Sequence, residues 1–451
     1  MKVHRITAGL AALLVIFTLL SGCALIEQDK EEEIPKKQLY VYYPHDNSHI
    51  MKSLIMQYNH MQQEVIVEGI EGSGLRTEFL EKLTELNQAG ETVPDVILIH
   101  DTWLAKLAAE KEIRSLDGGL YKDKGWQFFA GMTDAMVWRE QIYGLPFWQD
   151  APLLYYRSDL VEDPPASWDE LSHMVVQARK SNEMEYGFIF PGESEENAAA
   201  FLGSIWSFFG SYPDFEAEET ILDEQAVANT WNCITSMAKN EVISPDFLNM
   251  SAENCRTVFE AGNAVFMWNW SYAARLFLDE ESPISGKVGV APLPTSNEEA
   301  GGILSGYALT MSSHTGRIPE SWEFMEFLVS EQSQSKIKDA GLMPAEASLY
   351  RPEWLKKIGL NSSYKHIMQT GHTLKPGRNV DGTLSVMAGA VSLAFEQNKK
   401  MEDFILLLKE GIVDEDLVDE SDQEGEGSEE TEPFDEADSL NESAGGAGDS
   451  E

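Results

Sequence analysis

Three short stretches of the chain place aromatic side chains next to small polar ones near the ends of predicted strands. They are Trp148-Gln149-Asp150, Trp268-Asn269-Trp270-Ser271-Tyr272 and Ser305-Gly306-Tyr307. Sugars present apolar C–H faces that stack on aromatic rings, and a rim of hydroxyls that needs acceptors such as Asp and donors such as Asn or Gln. The stretches therefore predict a carbohydrate site. We expect Trp148 and Trp270 to stack on the sugar, whereas Trp103, Trp231 and Trp322 lie on amphipathic helices and are expected in the core.

Motifs for other chemistry are missing from the sequence. It contains no phosphate-binding loop, no G-x-S-x-G elbow and no H-E-x-x-H pair. Ser305 has the wrong glycine spacing for a nucleophile, and His45, Asp46 and His49 fit a capping role better than a metal site. We therefore predict no cofactor, no metal and no catalytic residue. Paired carboxylates are plentiful, so a glycan-degrading enzyme stays open as an alternative.

The composition of the 451-residue chain excludes some partners. Asp and Glu number 76 against 33 Lys and Arg, a formal net charge of −43. A surface this acidic repels phosphate backbones, which argues against nucleic-acid binding. Residues 414–451 hold 17 of the acidic residues and no basic one. They have few apolar side chains and are predicted to form a disordered acidic tail.

The N-terminus predicts where the protein is located. A short basic flank precedes an apolar run from Ile6 to Leu20, too short to span a membrane comfortably. The run ends in Leu20-Ser21-Gly22-Cys23, which resembles a bacterial lipobox. We expect residues 1–22 to be a signal peptide, Cys23 to carry lipid, and 23–37 to be a flexible linker. The protein would then be anchored to the cell membrane by lipid, on its extracytoplasmic side.

The two remaining cysteines, Cys233 and Cys255, leave two interpretations open. An extracytoplasmic protein permits a disulfide, but a chain of this length does not need one. Two separate buried thiols are the favoured interpretation.

The first third of the folded body alternates strands and helices. Apolar runs at 39–43, 65–67 and 96–99 read as strands, and each is followed by a helical pattern. This order predicts an open α/β sheet, whose ligands bind outside the carboxyl ends of the strands. The loops at 44–48, 71–74 (with Ser73) and 100–102 should therefore gather at one edge.

Several blocks from about Leu39 to Gly411 resemble the extracellular solute-binding proteins of carbohydrate ABC transporters, the family that includes the maltose- and trehalose-binding proteins. The blocks run from Tyr143 to Leu160, Pro165 to Leu171, Gly262 to Trp270, Val288 to Pro294, Gly302 to Ala308 and Ser321 to Leu328. Their order and spacing after a lipobox carry the resemblance.

The resemblance implies an α/β fold of two lobes with a ligand cleft between them, joined near Gln149–Ala151, near Gly301–Ile303 and around 332–340. Lobe 1 would comprise 38–149 plus 301–335, and lobe 2 would comprise 150–300 plus 336–413. It also implies a monomer that captures a mono- or oligosaccharide and delivers it to ABC transporter permease subunits.

The resemblance also suggests roles for individual residues. His45, Asp46 and Asn47 occupy a loop that contacts sugar, Asp101 and Asp150 match acidic hydroxyl acceptors, and Trp270 falls at or next to the stacking aromatic of the second lobe. Tyr307 lies opposite, and Arg378 sits in a late loop facing the cleft. Ser73 and Asn269 complete the expected ligand-binding set. Leu98 and Ser385 stand where maltose binders carry tryptophans, which suggests a differently shaped sugar or a polyol.

Two other classes of protein remain as alternatives to a transport receptor. One is the secreted glycan-degrading enzyme. The other is a sensor or adhesin that binds its ligand without meeting a permease.

Overall fold

The computed structural model describes residues 36–90, 92–116, 124–181, 184–210, 215, 222–296, 302–396 and 398–412. The predicted signal peptide, Cys23, most of the linker and the acidic tail lie outside the described residues. Twelve strands lie within these ranges: β1 Lys37–Tyr43, β2 Val65–Glu71, β3 Val96–His100, β4 Val137–Trp138, β5 Gln141–Ile142, β6 Gly144–Asp150, β7 Pro152–Arg157, β8 Tyr186–Ile189, β9 Ala264–Trp270, β10 Val288–Ala291, β11 Ile303–Met311 and β12 His372–Thr373.

Fifteen α-helices accompany the strands in the same part of the chain. They are α1 Ile50–Met61, α2 Arg76–Ala89, α3 Leu104–Ala109, α4 Ala130–Asp134, α5 Trp168–Ser181, α6 Glu195–Phe209, α7 Glu224–Lys239, α8 Ala252–Glu260, α9 Tyr272–Leu276, α10 Ile318–Val329, α11 Glu331–Asp339, α12 Pro352–Lys357, α13 Ser362–Thr370, α14 Val380–Leu393 and α15 Met401–Ile412.

The first lobe is built on a sheet with strand order β12-β11-β3-β1-β2, in which β6 also pairs with β11. Strands β1, β2 and β3 are parallel, and β11 runs antiparallel to both β3 and β6. Strand β3 is buried along four of its five residues, as expected for a central strand covered on both faces. The carboxyl ends of β1, β3 and β6 therefore meet at one edge of this sheet, where β11 begins.

The second lobe is built on a four-stranded sheet of order β10-β7-β9-β8. Helices α5 and α8 pack against it, α6 contacts it through Phe201 and Trp268, α7 packs on α5 and α6, and α14 and α15 pack against α6 and α7. Polar side chains at the helix starts explain where these helices begin: Ser194 accepts a hydrogen bond from the Asn197 amide, and Asp223 accepts from the Gln225 and Ala226 amides. The apolar faces that follow are buried.

The chain passes between the lobes with very short connections. Strand β6 of the first sheet continues into β7 of the second across Ala151 alone, which is completely buried. In the segment after α11, Pro344 forms an isolated β-bridge with Trp148, and β12 pairs with Ile303 and Leu304 of β11. These segments lie in the stretch from 336 onward that the resemblance assigns to the second lobe, yet they pair with the first.

Two local features concern the start of α1 and the two remaining cysteines. At the start of helix α1, Asp46 Oδ2 accepts from the Met51 amide at 3.1 Å and Ser48 Oγ accepts from the Ile50 amide at 3.3 Å, which agrees with the capping role expected of Asp46. A carboxylate is a stronger acceptor for the free amides of a first turn than a hydroxyl. Cys233 and Cys255 are both free thiols, as the favoured interpretation predicted. Burial raises the pKa of each thiol to about 12.

No helix in the described part of the chain is both long and apolar enough to cross a membrane.

Candidate functional site

The registers of β3, β6 and β11 bring two of the three aromatic–polar stretches together. Tyr307 of β11 lies opposite Trp148 of β6 on one side and opposite His100 of β3 on the other. Gly306 lets the two strands approach closely, because a Cβ at this position would lie 2.3 Å from the Trp148 carbonyl oxygen. The pairing of distant segments thus places two aromatic rings at the carboxyl edge of the first sheet.

A cavity of about 390 Å³ opens between the lobes at this edge. Its walls come from the loop after β1, from the aromatic pair on β6 and β11, from α9 of the second lobe and from the segment after α11. The lining residues are Pro44, His45, Asp46, Asn47, Ser48, Trp148, Tyr272, Arg275, Leu276, Tyr307, Ala340, Gly341 and Leu342. A volume of this size falls within the usual range for small-molecule sites.

The cavity is aromatic on the sides contributed by both lobes. The rings of Trp148 and Tyr307 lie with their centroids 4.7 Å apart, and Tyr272 lines the cavity from the second lobe. Burial raises the pKa of the Tyr307 hydroxyl, and the nearby carboxylates of Glu196, Asp101 and Asp46 raise it further. The hydroxyl therefore stays protonated and can donate a hydrogen bond. Rings on both sides can hold the two faces of a flat, partly apolar ligand.

The loop after β1 forms the polar rim, and its groups already hold one another in place. The ring nitrogens of His45 contact Glu71 Oε1 at 2.7 Å and Asn47 Oδ1 at 3.0 Å. The Oδ1 of Asp46 accepts from Ser48 within the loop, and its Oδ2 accepts from the Met51 amide in the first turn of α1. The rim is thus organised before any ligand arrives, which lowers the ordering cost of binding.

The second lobe adds one cation to the cavity. Arg275 on α9 is the only Lys or Arg among the described residues that line it. Its guanidinium lies against Gly341, where a Cβ would be 2.8 Å from Nη1. Gly341 has a φ of 87°, in the left-handed region that glycine adopts without strain. Arg275 can therefore offer several N–H donors to ligand hydroxyls.

Asp150 lies at the crossing between the lobes, outside the lining of the cavity. Its Oδ1 accepts from the Tyr364 hydroxyl at 2.7 Å, from the Ala151 amide at 2.7 Å and from the Ser271 amide at 3.3 Å. Burial raises the pKa of this carboxyl, while the hydrogen bonds oppose the shift. Asp150 thus joins β6, α9 and α13 at the crossing in this conformation.

The β9 residues predicted for the site face into the second lobe. Asn269 is completely buried and donates from Nδ2 to the Ala252 carbonyl at 2.8 Å. Trp270 is half-buried and donates from Nε1 to Asn197 Oδ1 at 2.9 Å. Neither residue lines the cavity, which Tyr272 reaches instead from two residues further along. A sugar contact by Asn269 would require the core to open.

Asp101 lies beneath the cavity and connects the end of β3 to β11 by a hydrogen bond. Its Oδ2 accepts from the Gly306 amide at 2.9 Å, and its Oδ1 lies 3.1 Å from His100 Nδ1. Burial raises the pKa of the Asp101 carboxyl to about 6, although the neighbouring His100 and the Gly306 amide act against the rise. This carboxylate supports the strand that carries Tyr307.

His100 also contacts Ser305, since its Nε2 lies 2.9 Å from the serine Oγ. The connectivity Ser305–His100–Asp101 is that of a serine hydrolase triad. In such enzymes, however, backbone N–H groups near the serine stabilise the oxyanion. Here the Gly306 N–H that follows Ser305 is already donated to Asp101. The chain of hydrogen bonds therefore serves to tie β3 to β11.

Two predicted residues lie in neighbouring loops. Ser73, in the loop after β2, accepts from the Leu75 amide at 3.1 Å. Arg378 is half-buried in the segment that leads to α14. Neither lines the cavity, and their contact with ligand stays a prediction.

Leu98 corrects the argument about the shape of the sugar. This residue is 1% exposed in the middle of β3 and does not line the cavity. The comparison of Leu98 with a stacking tryptophan of maltose binders is therefore wrong. It does not argue against maltose.

A second cavity of about 380 Å³ lies beside the crossings, lined in part by Pro152, Pro292 and His366. The described residues contain no cluster of His, Cys, Asp or Glu that could hold a metal ion.

Sequence comparison identifies the class of protein. Residues 51–335 match the family described as bacterial extracellular solute-binding protein, and the chain belongs to this family. A probable ABC transporter-binding protein of Deinococcus radiodurans is 32% identical over 227 residues, which cover 47% of this chain and 53% of that protein. The alignment thus spans only about half of this curated relative.

Two further comparisons extend over more of the chain. A maltooligosaccharide ABC transporter solute-binding lipoprotein of Streptococcus pneumoniae is 21% identical, over 75% of this chain and 79% of that protein. The solved structure of maltose-bound T. maritima MalE3 superposes with a TM-score of 0.69 at 26% identity, covering 83% of this chain and 98% of that one. The likeness confirms the expected two-lobed fold.

Proposed function

We propose that this chain is a membrane-anchored, extracytoplasmic receptor that captures a mono- or oligosaccharide between its lobes and delivers it to the permease subunits of an ABC transporter. The observation that carries the proposal is the interlobe cavity with aromatic rings on both sides and a preorganised polar rim. Trp148 and Tyr307 offer stacking surfaces from the first lobe and Tyr272 from the second. The names of the relatives, which refer to maltose and maltooligosaccharides, favour the same class of ligand.

Capture would depend on relative motion of the lobes. We assign lobe 1 to 38–149 plus 301–335 and lobe 2 to 150–300 plus 336–413. Within the last of these ranges, Pro344 and β12 pair with strands of the first lobe. Lobes connected only by short crossings such as Ala151 are expected to move. A ligand that contacts both lobes favours the closed arrangement by its differential affinity. A monomer is sufficient for this action.

A sugar panel followed by tryptophan fluorescence tests the proposal. Trp148 lines the cavity, so its emission should change when maltose, maltotriose, trehalose or a polyol such as mannitol binds. The matched control is Trp148→Phe, which keeps an aromatic ring but removes the reporting indole. Failure of every member of a broad panel to change the emission or to raise the melting temperature would contradict sugar capture.

The same samples separate a receptor from the glycan-degrading enzyme. After long incubation, every bound sugar should be recovered intact by chromatography. Ser305→Ala should bind as the wild type does, because Ser305 does not line the cavity. Turnover by the wild type that is lost in Ser305→Ala would favour the hydrolase instead.

The anchor and the permease need tests in cells. We expect the wild type to fractionate with membranes and to incorporate labelled palmitate, and Cys23→Ser to be released. Uptake of the bound sugar should fail when the chain is deleted and return when it is restored. Binding without any effect on uptake would favour a sensor or adhesin.

A further inference from the structure

Arg76 opens helix α2 on the first lobe, and its side chain is only 10% exposed. Each of its three nitrogen positions donates to a different carboxylate. Nη2 lies 2.6 Å from Glu195, Nη1 lies 2.8 Å from Glu196 and Nε lies 3.0 Å from Asp381. The planar guanidinium is the side chain whose donors can satisfy three acceptors at once.

All three carboxylates belong to the second lobe. Glu195 and Glu196 form the first turn of α6, and Asp381 lies in the first turn of α14, which packs on α6. Lys106 on α3 of the first lobe adds a second cation 3.4 Å from Asp381. The contact therefore sets two cations of one lobe against three carboxylates of the other. We call Arg76, Glu195, Glu196 and Asp381 the interlobe clasp.

The clasp adjoins the candidate site. Helix α6, which carries Glu195 and Glu196 in its first turn, contacts β11, the strand on which Tyr307 lines the cavity. We propose that Arg76 is a positioning residue for ligand capture, which holds the lobes in their closed arrangement and keeps α6 against β11, the strand that carries Tyr307. This inference rests on the proposed function, because it assigns a cause to the closing of the lobes.

The charges of the clasp favour the closed arrangement of the lobes when Arg76 is present and the open arrangement when it is removed. The carboxylates of α6 and α14 lie at helix N-termini, where they are stable whether or not Arg76 is near. Their side chains stay 23% to 50% exposed, so their desolvation on closing is incomplete. Without Arg76, Lys106 would be the one remaining cation that pairs with the three carboxylates in the described part of the chain. In a chain with a net charge of −43, like charges would then oppose closure.

Small-angle scattering of the ligand-free chain from residue 24 to 451 tests the clasp. Curves are analysed as mixtures of open and closed forms for the wild type, Arg76→Gln and Arg76→Lys. The matched control is Arg256→Gln. Arg256 is also an arginine with a 14% exposed side chain that pairs with two carboxylates, Glu253 and Glu260, but all three lie on α8 within one lobe. Circular dichroism and thermal melting confirm that each variant is folded.

We expect Arg76→Gln to raise the open-to-closed ratio about tenfold, which corresponds to ~1.4 kcal/mol. Arg76→Lys should restore part of the closed form, and the control should match the wild type. The difference between wild type and Arg76→Gln should shrink in 0.5 M NaCl, because salt screens the half-exposed pairs. The acidic tail contributes equally to all curves.

Identical curves for wild type and Arg76→Gln, or a wild type that is already fully open without ligand, would overturn the clasp. Failure of the proposed function gives a different pattern. In that case Arg76→Gln still opens the chain, but no sugar of the panel closes either protein.

Discussion

The indole of Trp148 and the phenol ring of Tyr307 lie 4.7 Å apart, centroid to centroid, with their planes tilted by 47°. They are far apart in sequence, and the pairing of β6 with β11 brings them together. Because both rings line the cavity between the lobes, they form one continuous apolar surface beside the polar loop at 44–48. This surface is the structural basis for the proposed capture of a sugar.

Truncating this surface should weaken binding more than folding. Trp148→Ala removes the larger of the two rings, and loss of a central aromatic anchor costs at least ~2 kcal/mol of binding. Calorimetric titration with the tightest sugar of the panel measures the loss. Trp354→Ala is the control, because Trp354 is also half-buried but lies on α12 outside the cavity lining. Equal loss of affinity in the two variants would contradict the assignment.

On the second lobe, Tyr272 and Trp270 should behave differently. Tyr272→Ala removes a ring that lines the cavity and should weaken binding, whereas Tyr272→Phe should retain most of the affinity. Trp270→Ala removes a ring that packs on Trp268 and bonds Asn197, so it should mainly lower the melting temperature. If Trp270→Ala abolishes binding in a fully folded sample while Tyr272→Ala binds normally, Trp270 is the stacking residue instead.

The crossing between the lobes should depend on Tyr364. Its hydroxyl donates to Asp150 and accepts from the Ala151 amide, and the residue is 1% exposed. Tyr364→Phe removes a hydrogen bond to a buried carboxylate, and a bond to a charged group typically contributes about 1.5–3 kcal/mol of unfolding free energy. Urea unfolding measures this cost. Tyr58→Phe is the control, since Tyr58 is also buried and no hydrogen bond of its hydroxyl occurs in the described part of the chain. A smaller loss in Tyr364→Phe than in Tyr58→Phe would count against the role of Tyr364.

The buried carboxyl of Asp101 should make stability depend on pH. Burial raises its pKa from 3.8 to about 6, so the folded state binds this proton more tightly than the unfolded chain does. Its contribution to the unfolding free energy is therefore present in full below about pH 4 and is lost as the pH rises through about 6. The shift corresponds to about 3 kcal/mol at most.

Asp101→Asn provides the comparison for this prediction, because it lacks the titrating group. Urea unfolding at steps between pH 4 and pH 7 should show the wild type losing stability relative to the variant as the pH increases. A constant difference between the two proteins across this range would mean that the pKa of Asp101 is not raised.

Sequence patterns predicted the parts of the site that depend on strand ends. The β-α-β order placed the loop at 44–48 and Asp101 at one edge of a parallel sheet, and the structure has them there because β1 and β3 are parallel neighbours. Trp148 and Tyr307 were recognised from the polar residues beside them. These features depend on local pattern and on a general property of α/β sheets.

The sequence was less informative about which residues of the second lobe line the cavity. Strand β9 is buried at six of its seven positions, so alternation of side chains does not indicate which residue faces the cavity. Tyr272 lies past the strand, at the start of α9, and the only signal for it was its place in the same aromatic run. The interlobe clasp joins Arg76 to residues more than 100 positions away, and charge patterns along the sequence cannot reveal such a contact.

A crystal structure of the chain with the tightest sugar of the panel would show directly where the ligand binds. We expect an intact sugar between the lobes, in contact with Trp148 and Tyr307 on one side and Tyr272 on the other. A sugar bound in the cavity beside Pro152 and His366, or a cleaved sugar next to Ser305, would contradict it.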